Sequence, residues 1–297
     1  MKFKELIGNN EIKESLIKIL NSNNISHSYM FIGTKGIGKE KFAKEFAKGI
    51  LCLNDTNKPY ESCKSCVSFS DNNNPDFYEI GLADDENSIK IDTIRDMQKK
   101  IQELPIISNR KVYIIDDSEF MTKDAQNCLL KTLEEPPKFT TIILIVSNES
   151  KILNTIKSRC LKIYFKDINE RELEEYIKQN LITDNFTTNM LKACQGSIGK
   201  ATSIFENKDM YTILDEVFGN IEKYSLIDVI PKLEVLYKNK EHINEMLEYI
   251  NVIFIEKAKE DFKYIDFISC VEKTKNNLNM NCNYDMSIDK MLFEIWK

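Results

Sequence analysis

The chain has 297 residues, which is long for one globular core, so we expect two or three domains. Its composition, 42% hydrophobic and 30% charged, is that of a folded soluble protein, and no apolar run approaches the roughly 20 residues that a membrane span requires. The net charge of −6 argues against a large self-sufficient DNA-binding surface. Residues 1–15 contain no apolar signal core, which predicts a cytoplasmic protein with reduced cysteines.

The first half of the sequence alternates between helical and strand patterns. A first helix is predicted from apolar residues at the i, i+4, i+7 and i+8 positions Ile12, Leu16, Ile19 and Leu20. Short apolar strands are predicted at Tyr29–Ile32, Phe77–Ile80, Val112–Asp116, Ile142–Val146 and Leu161–Phe165. Helices are predicted after the first strand and over Ile89–Leu104. This alternation predicts an α/β fold with a parallel sheet covered on both faces.

The pattern becomes helical after Phe165. Helices are predicted at Asn169–Gln179, Thr187–Cys194 and near Ser203–Phe205. Two later apolar stripes, which predict an ordinary helical core, are Ile243, Met246, Leu247, Ile250, Ile253 and Phe254, and Ile288, Met291, Leu292 and Ile295. We therefore predict an α/β domain over residues 1–165 with a cysteine-bearing insertion at 52–75, a small helical domain over 166–208, and an all-α domain over 209–297.

A glycine-rich turn follows the first predicted strand and opens a helix, which is the context of a P-loop. In such a loop, Gly33, Gly36 and Gly38 let backbone N–H groups turn toward phosphates. Lys39 could reach the β and γ oxygens. The next residue should be Ser or Thr, whose hydroxyl holds Mg²⁺, but it is Glu40, which adds negative charge. We expect a loop that binds ATP or ADP weakly, or only holds a turn, without hydrolysis.

Residues 125–137 read AQNCLLKTLEEPP, an amphipathic helix that stops at a Pro-Pro pair. This run, with the Ser-Arg-Cys of residues 158–160, closely resembles the clamp-loader branch of the AAA+ ATPases. The resemblance implies an AAA+ module followed by a small helical lid and a helical collar that holds five subunits in a ring. It implies delta and three tau or gamma motor subunits as partners, and a complex that acts on the sliding clamp and primed DNA. Separately from the resemblance, the lack of a long apolar run predicts no membrane partner.

The resemblance also assigns roles around the loop. Asp116 would orient the metal and its water, and Asp117 stands where the family carries the longer Glu. Asn148 is the candidate for the sensor-one residue. Gly199 stands at the arginine position of a sensor-two-like segment, with Lys200 after it. Together with the altered loop, these departures predict little or no ATPase activity in this chain.

In the clamp-loader family, the arginine of Ser-Arg-Cys points at the ATP of a neighbouring subunit. Arg159 occupies that position, and a planar guanidinium suits the spread charge of a phosphoryl transition state. The alternative is that Arg159 is a surface arginine in an ordinary salt bridge without a role in catalysis. The favoured hypothesis is a non-hydrolysing subunit of the DNA polymerase III clamp loader that contributes Arg159 in trans, as an arginine finger, to the ATP site of a neighbouring subunit. Two other hypotheses stay open: an active gamma- or tau-like ATPase subunit, and an AAA+ protein of DNA repair or regulation.

Cys52, Cys63 and Cys66 resemble the clamp-loader zinc module, whose pattern is C-x₈-C-x₂-C-x₂-C or nearly so. The missing ligand falls at Tyr60, and a structural zinc wants four ligands. Zinc could persist with a fourth ligand such as Asp55 or water, or the loop could hold without metal. The remaining cysteines show no ligand spacing and are predicted to be buried apolar residues: Cys128, Cys160, Cys194, Cys270 and Cys282.

Overall fold

The computed structural model describes residue 3 and residues 6–82, 86–181 and 186–297. The chain divides into two compact units, Met1–Glu172 and Leu173–Lys297. The strands, all in the first unit, are β1 (Ser28–Ile32), β2 (Phe77–Ile80), β3 (Lys111–Ile115), β4 (Thr140–Val146) and β5 (Leu161–Tyr164). The helices up to the boundary are α1 (Asn10–Ser22), α2 (Lys39–Leu51), α3 (Lys64–Ser70), α4 (Ile91–Ile101), α5 (Lys123–Glu134), α6 (Asn154–Lys157) and α7 (Glu170–Asn180).

The strands form one parallel sheet in the order β2-β3-β4-β1-β5. Strands β1, β3 and β4 are buried along their whole length because helices cover both faces. Tyr29 and Phe31 of β1 enter a core with residues of α1 and α2. Met30 and Ile32 enter the opposite core with residues of α4 and α5. The predicted five-stranded α/β architecture is confirmed.

Since the strands are parallel, their carboxyl ends meet at one edge, where open α/β sheets build their ligand sites. The glycine-rich loop follows β1, Asp116 follows β3, and Ser147 follows β4. The loop is tied to this edge because the Gly33 N–H donates to the Val146 carbonyl at 3.2 Å. The sheet thereby gathers segments that are more than 100 residues apart in sequence.

The second unit is helical throughout its assigned elements. After α7 it contains α8 (Thr188–Ala193), α9 (Ile198–Glu206), α10 (Lys208–Gly219), α11 (Leu226–Val229), α12 (Glu234–Lys238), α13 (Ile243–Ala258), α14 (Tyr264–Asn279) and α15 (Tyr284–Ile295). The two predicted apolar stripes are buried in α13 and α15 and form part of a helical core, as expected. The three-domain division stays a prediction. Among the described helices, none has the length and apolar character that crossing a bilayer demands.

The insertion at 52–75 contains α3, a helix that the sequence analysis did not predict, and it begins where the Cys63 sulfur accepts a hydrogen bond from the backbone N–H of Cys66. One prediction needs correction, namely that all five remaining cysteines are buried. Cys282 is exposed, since it follows the turn that ends α14, and Cys128 is half-buried where α5 meets α4. The buried positions of Cys160, Cys194 and Cys270 are confirmed.

Candidate functional site

The glycine-rich loop between β1 and α2 depends on its glycines for two different reasons. Gly36 and Gly38 have positive φ angles of 81° and 94°, which disfavour residues with a Cβ atom. Gly33 is needed for space, because a Cβ there would lie 2.7 Å from Ile37 Cδ1 and 2.9 Å from Phe165 Cβ. The loop then leads directly into α2, so the partly positive end of a helix faces this edge of the sheet.

Lys39 is folded back onto its own loop. Its side chain is 4% exposed, and Nζ donates to the carbonyl oxygens of Gly33 at 2.6 Å and Thr34 at 2.8 Å. The third acceptor is Ser147 Oγ at 3.0 Å. An ammonium has three donors, so protein groups satisfy all of them. Burial lowers the pKa of Lys39, and the negative charges of nearby carboxylates, Glu119 first among them, act against that shift.

Carboxylates surround the loop. Glu40 is held along α2 by Lys44, whose Nζ lies 2.7 Å from Glu40 and 2.9 Å from Glu79 at the end of β2. Asp116 accepts a hydrogen bond from the backbone N–H of Asp117 at 2.8 Å. Burial raises the pKa of Asp116, and the negative charges of Asp117, Glu40 and Glu79 raise it further. The structure therefore brings the predicted acidic pair and Glu40 into one electrostatic neighbourhood.

Two residues of this neighbourhood escaped the sequence analysis. Ser147, one residue before the predicted sensor residue, accepts from Lys39 and donates its backbone N–H to Glu119 at 3.1 Å. Glu119 is 8% exposed, and among the described residues its second carboxylate oxygen has no hydrogen-bond partner. Asn148 instead accepts hydrogen bonds from the backbone N–H of Ser150 at 3.0 Å and its hydroxyl at 2.6 Å, capping a short 3-10 turn. The sensor role of Asn148 stays a prediction.

Arg159 lies just after α6, far from the glycine-rich loop in sequence. Unlike the buried Lys39, it has an anchored backbone and a partly exposed side chain. Its backbone carbonyl accepts from the buried Ser28 hydroxyl of β1 at 2.7 Å, which fixes the base of the residue. The guanidinium contacts the Thr155 carbonyl at 2.8 Å and Glu134 of α5 at 2.7 Å. The Arg159 side chain is 35% exposed. The arrangement presents a charged group at the surface on a firmly held backbone.

Helix α5, which carries most of the 125–137 run, braces the segment that precedes Arg159. Gln126 is 2% exposed and donates to the carbonyls of Met121 and Lys151, each at 3.1 Å. Its Oε1 accepts from the backbone N–H of Leu153 at 2.9 Å. The helix thus fixes both the entry to α6 and, through Glu134 at its end, the guanidinium.

In the second unit, Lys200 lies in the first turn of α9. Its Nζ contacts Gln195 Oε1 at 3.0 Å and Glu248 of α13 at 3.5 Å. Gly199, at the arginine position of the sensor-two-like segment, is exposed. The role of this segment toward a nucleotide stays a prediction.

The three predicted cysteine ligands come together. The sulfurs of Cys52, Cys63 and Cys66 lie within 4.8 Å of one another, and the Cys52–Cys63 separation is 3.9 Å. Sulfurs at two corners of a zinc tetrahedron, each about 2.3 Å from the metal, are roughly 3.8 Å apart. Burial would raise the pKa of Cys63, but hydrogen bonds from the backbone N–H groups of Leu53 and Cys66 and from neighbouring thiols bring it below its ordinary value.

A fourth side-chain ligand does not join this cluster among the described residues, and Asp55 lies outside it. The Tyr60 backbone N–H donates to Cys52 Sγ at 3.4 Å, while its ring is exposed. The donor set therefore offers three of the four ligands that a structural zinc takes.

The chain is similar to several known proteins. Residues 8–169 match the family described as DNA polymerase III, delta subunit. DNA polymerase III subunit delta' of Bacillus subtilis is 30% identical over 268 residues, covering 85% of this chain and 80% of that protein. Subunit tau/gamma of Haemophilus influenzae is 29% identical over 255 residues, covering 82% of this chain.

The chain spans 36%, 33% and 43% of the lengths of three tau/gamma relatives, from Haemophilus influenzae, Mycoplasma pneumoniae and Mycoplasma genitalium. A crystal structure of a DNA polymerase III gamma subunit-related protein from Thermotoga maritima has a TM-score of 0.54 at 18% identity, covering 95% of this chain and 98% of that one, which supports the fold alone. The chain therefore belongs to the DNA polymerase III delta-subunit family and is a clamp-loader-type subunit with the AAA+ fold.

Proposed function

We propose that this chain is a delta prime-like, non-hydrolysing subunit of the DNA polymerase III clamp loader. It assembles with delta and tau or gamma subunits in the cytoplasm and lends Arg159 in trans to a motor subunit. The complex uses ATP to place the sliding clamp on primed DNA. The observation that carries the proposal is a contrast: Lys39 is buried and saturated by its own protein, whereas Arg159 is partly exposed on a fixed backbone.

The loop lacks what hydrolysis requires. A P-loop ATPase holds Mg²⁺ with a hydroxyl after the lysine, but Glu40 stands there and is engaged by Lys44. Asp117 carries a shorter side chain than the glutamate that polarises water in active relatives. Since phosphoryl transfer depends on metal, water and charge being placed together, these departures favour a pocket without turnover.

Arg159 has the chemistry for action on a neighbour. Its guanidinium is always charged, and its exposed ion pair with Glu134 contributes only about 0–1 kcal/mol, so exchange for a phosphate partner costs little. Gln126 already fixes the backbone before Arg159. Less conformational entropy is therefore lost when the guanidinium exchanges Glu134 for a phosphate.

One alternative is favoured by a specific observation. Lys39 is present, and tau and gamma subunits are among the similar proteins, so a hydrolysing motor subunit remains a second candidate. The family assignment favours either replication role over an AAA+ protein of DNA repair or regulation.

We further propose that Cys52, Cys63 and Cys66 hold a zinc ion, with water as the fourth ligand. Such an ion would supply folding energy by joining the end of α2 to the start of α3, and no step of ATP chemistry depends on it.

Assembly is the direct test. The chain is mixed with purified delta and tau or gamma subunits, the complex is isolated by size exclusion, and ATP-dependent loading of a labelled clamp onto primed DNA is measured. We expect a stable complex whose loading requires this chain and survives Lys39→Ala in it. Failure to join the complex would refute the proposed role as a non-hydrolysing subunit, and loss of loading with Lys39→Ala would favour the motor alternative.

A further inference from the structure

The buried carboxylate of Glu119 has no place in the proposed function. It sits in a short 3-10 turn, Ser118–Phe120, directly after the acidic pair. One of its oxygens accepts from the Ser147 N–H at 3.1 Å, and the other has no hydrogen-bond partner among the described residues. Burying a carboxylate with an unsatisfied oxygen is unfavourable unless a nearby cation compensates.

Lys39 is that cation. The two side chains meet at Ser147, whose hydroxyl accepts from Lys39 Nζ at 3.0 Å while its N–H donates to Glu119. Lys39 and Glu119 are 4% and 8% exposed, so water screens their attraction poorly. Burial lowers the pKa of Lys39, and the charge of Glu119 is the largest of the effects that oppose this.

We propose that Glu119 is an internal counterion that holds the Lys39 ammonium on its own loop and thereby weakens the binding of nucleoside phosphates there. A phosphate entering the loop must take Lys39 away from Gly33, Thr34 and Ser147, and it must approach the Glu119 charge. The carboxylates of Asp116, Asp117 and Glu40 add to the same repulsion. Charge repulsion and the hydrogen bonds of Lys39 therefore disfavour phosphate binding in the loop. The absence of a Mg²⁺-binding hydroxyl after Lys39 disfavours it further.

A neutral isostere isolates the effect of charge. Glu119→Gln keeps an oxygen for the Ser147 N–H and removes one negative charge. A unit charge about 10 Å from a bound phosphate, at an effective dielectric constant of about 20, changes affinity roughly tenfold. The matched control is Glu14→Gln, which removes an exposed carboxylate on α1.

The test is a fluorescence titration of the isolated chain with N-methylanthraniloyl-ADP and Mg²⁺. We expect Glu119→Gln to bind about tenfold more tightly than the natural chain, and Glu14→Gln to bind like it. In a Lys39→Ala background the gain should be clearly smaller, because Glu119 no longer holds the ammonium and only its repulsion of the phosphate remains; a purely structural effect would survive unchanged. Equal, weaker or undetectable binding by Glu119→Gln would overturn the proposal.

Thermal unfolding of each variant accompanies the titration. If Glu119→Gln does not fold, the same titration is made with Ser147→Ala, which frees the third Lys39 donor. Nucleotide binding about threefold tighter than that of the natural chain supports the proposal, and equal or weaker binding overturns it. The inference rests on the proposed function only in taking the glycine-rich loop as the place for a nucleoside phosphate. This titration uses the isolated chain, whereas the role as a non-hydrolysing subunit is tested in the complex, so failure of one proposal is distinguishable from failure of the other.

Discussion

Replacing Arg159 by alanine is expected to leave this chain folded while lowering ATP turnover by the assembled complex. The lost ion pair joins side chains that are 35% and 51% exposed, and such pairs stabilise by about 0–1 kcal/mol. The hydrogen bond to the Thr155 carbonyl adds about 1 kcal/mol at most. For a chain of this size the melting temperature should fall by only a few degrees.

The loss of catalytic rate is far larger than this loss of stability, and it is expected at the ATP site of the neighbouring subunit to which Arg159 is proposed to contribute. An arginine finger contributes about 10³- to 10⁵-fold to the rate, or roughly 4–7 kcal/mol. In the proposed ring with three motor subunits, only the neighbouring ATP site would lose its finger. Total turnover should therefore fall by about a third if the sites act independently, and almost completely if they act in sequence.

The assay is steady-state ATP hydrolysis by the reconstituted complex with clamp and primed DNA. Arg159→Lys keeps the charge but not the planar donor pair, so it should recover little of the loss. Arg95→Ala is the matched control, because it removes an exposed arginine whose guanidinium pairs with Asp92 at 3.0 Å. Turnover by Arg159→Ala equal to that of the control would refute the finger.

Three further predictions concern stability and metal. Gln126→Leu should destabilise the chain by about 2–3 kcal/mol in urea unfolding, since it leaves two carbonyls and one N–H without partners; an unchanged midpoint would show that they find others. Cys63→Ser should reduce the zinc content measured by plasma mass spectrometry from about one ion per chain to a small fraction, and well under one ion in the natural chain would end the zinc proposal. Gly33→Ala should lower stability by about 1–3 kcal/mol because its Cβ would clash, whereas Gly219→Ala, with open space around it, should be neutral; equal effects of the two on thermal unfolding would contradict this.

The sheet could be predicted because its strands are short, nearly continuous apolar runs. The predicted strand Phe77–Ile80 matches β2 at both ends, while Thr140 and Thr141 extend β4 beyond the apolar run at its start. A buried threonine at a strand end carries no clear sequence signal, since its hydroxyl reads as polar while its branched Cβ favours strands.

The candidate site was predictable where local pattern determines it. Gly36 and Gly38 follow from the positive φ that the loop needs. Glu119 could not be found in this way, because its burial and its link to Lys39 arise only when β3 and β4 lie side by side. Whether Ser147 or Asn148 contacts Lys39 depends on where β4 ends, because that decides which side chain turns toward the loop. Hydrophobic patterning does not specify this.

The organisation around Arg159 was also beyond sequence reasoning in its details. The Ser-Arg-Cys resemblance indicated the arginine, but the pairing with Glu134 and the bracing by Gln126 are long-range contacts. Helix α3 was missed because a cysteine sulfur, in place of a Ser, Thr, Asp or Asn side chain, caps its first turn.

The central claim, that this chain's own pocket does not turn over ATP, is tested most directly by single-turnover hydrolysis. Purified chain in excess over radiolabelled ATP is incubated with Mg²⁺, and released phosphate is followed over time. We predict no phosphate above the protein-free reaction. Metal-dependent hydrolysis that is abolished by Lys39→Ala would contradict the account and make the chain a motor subunit.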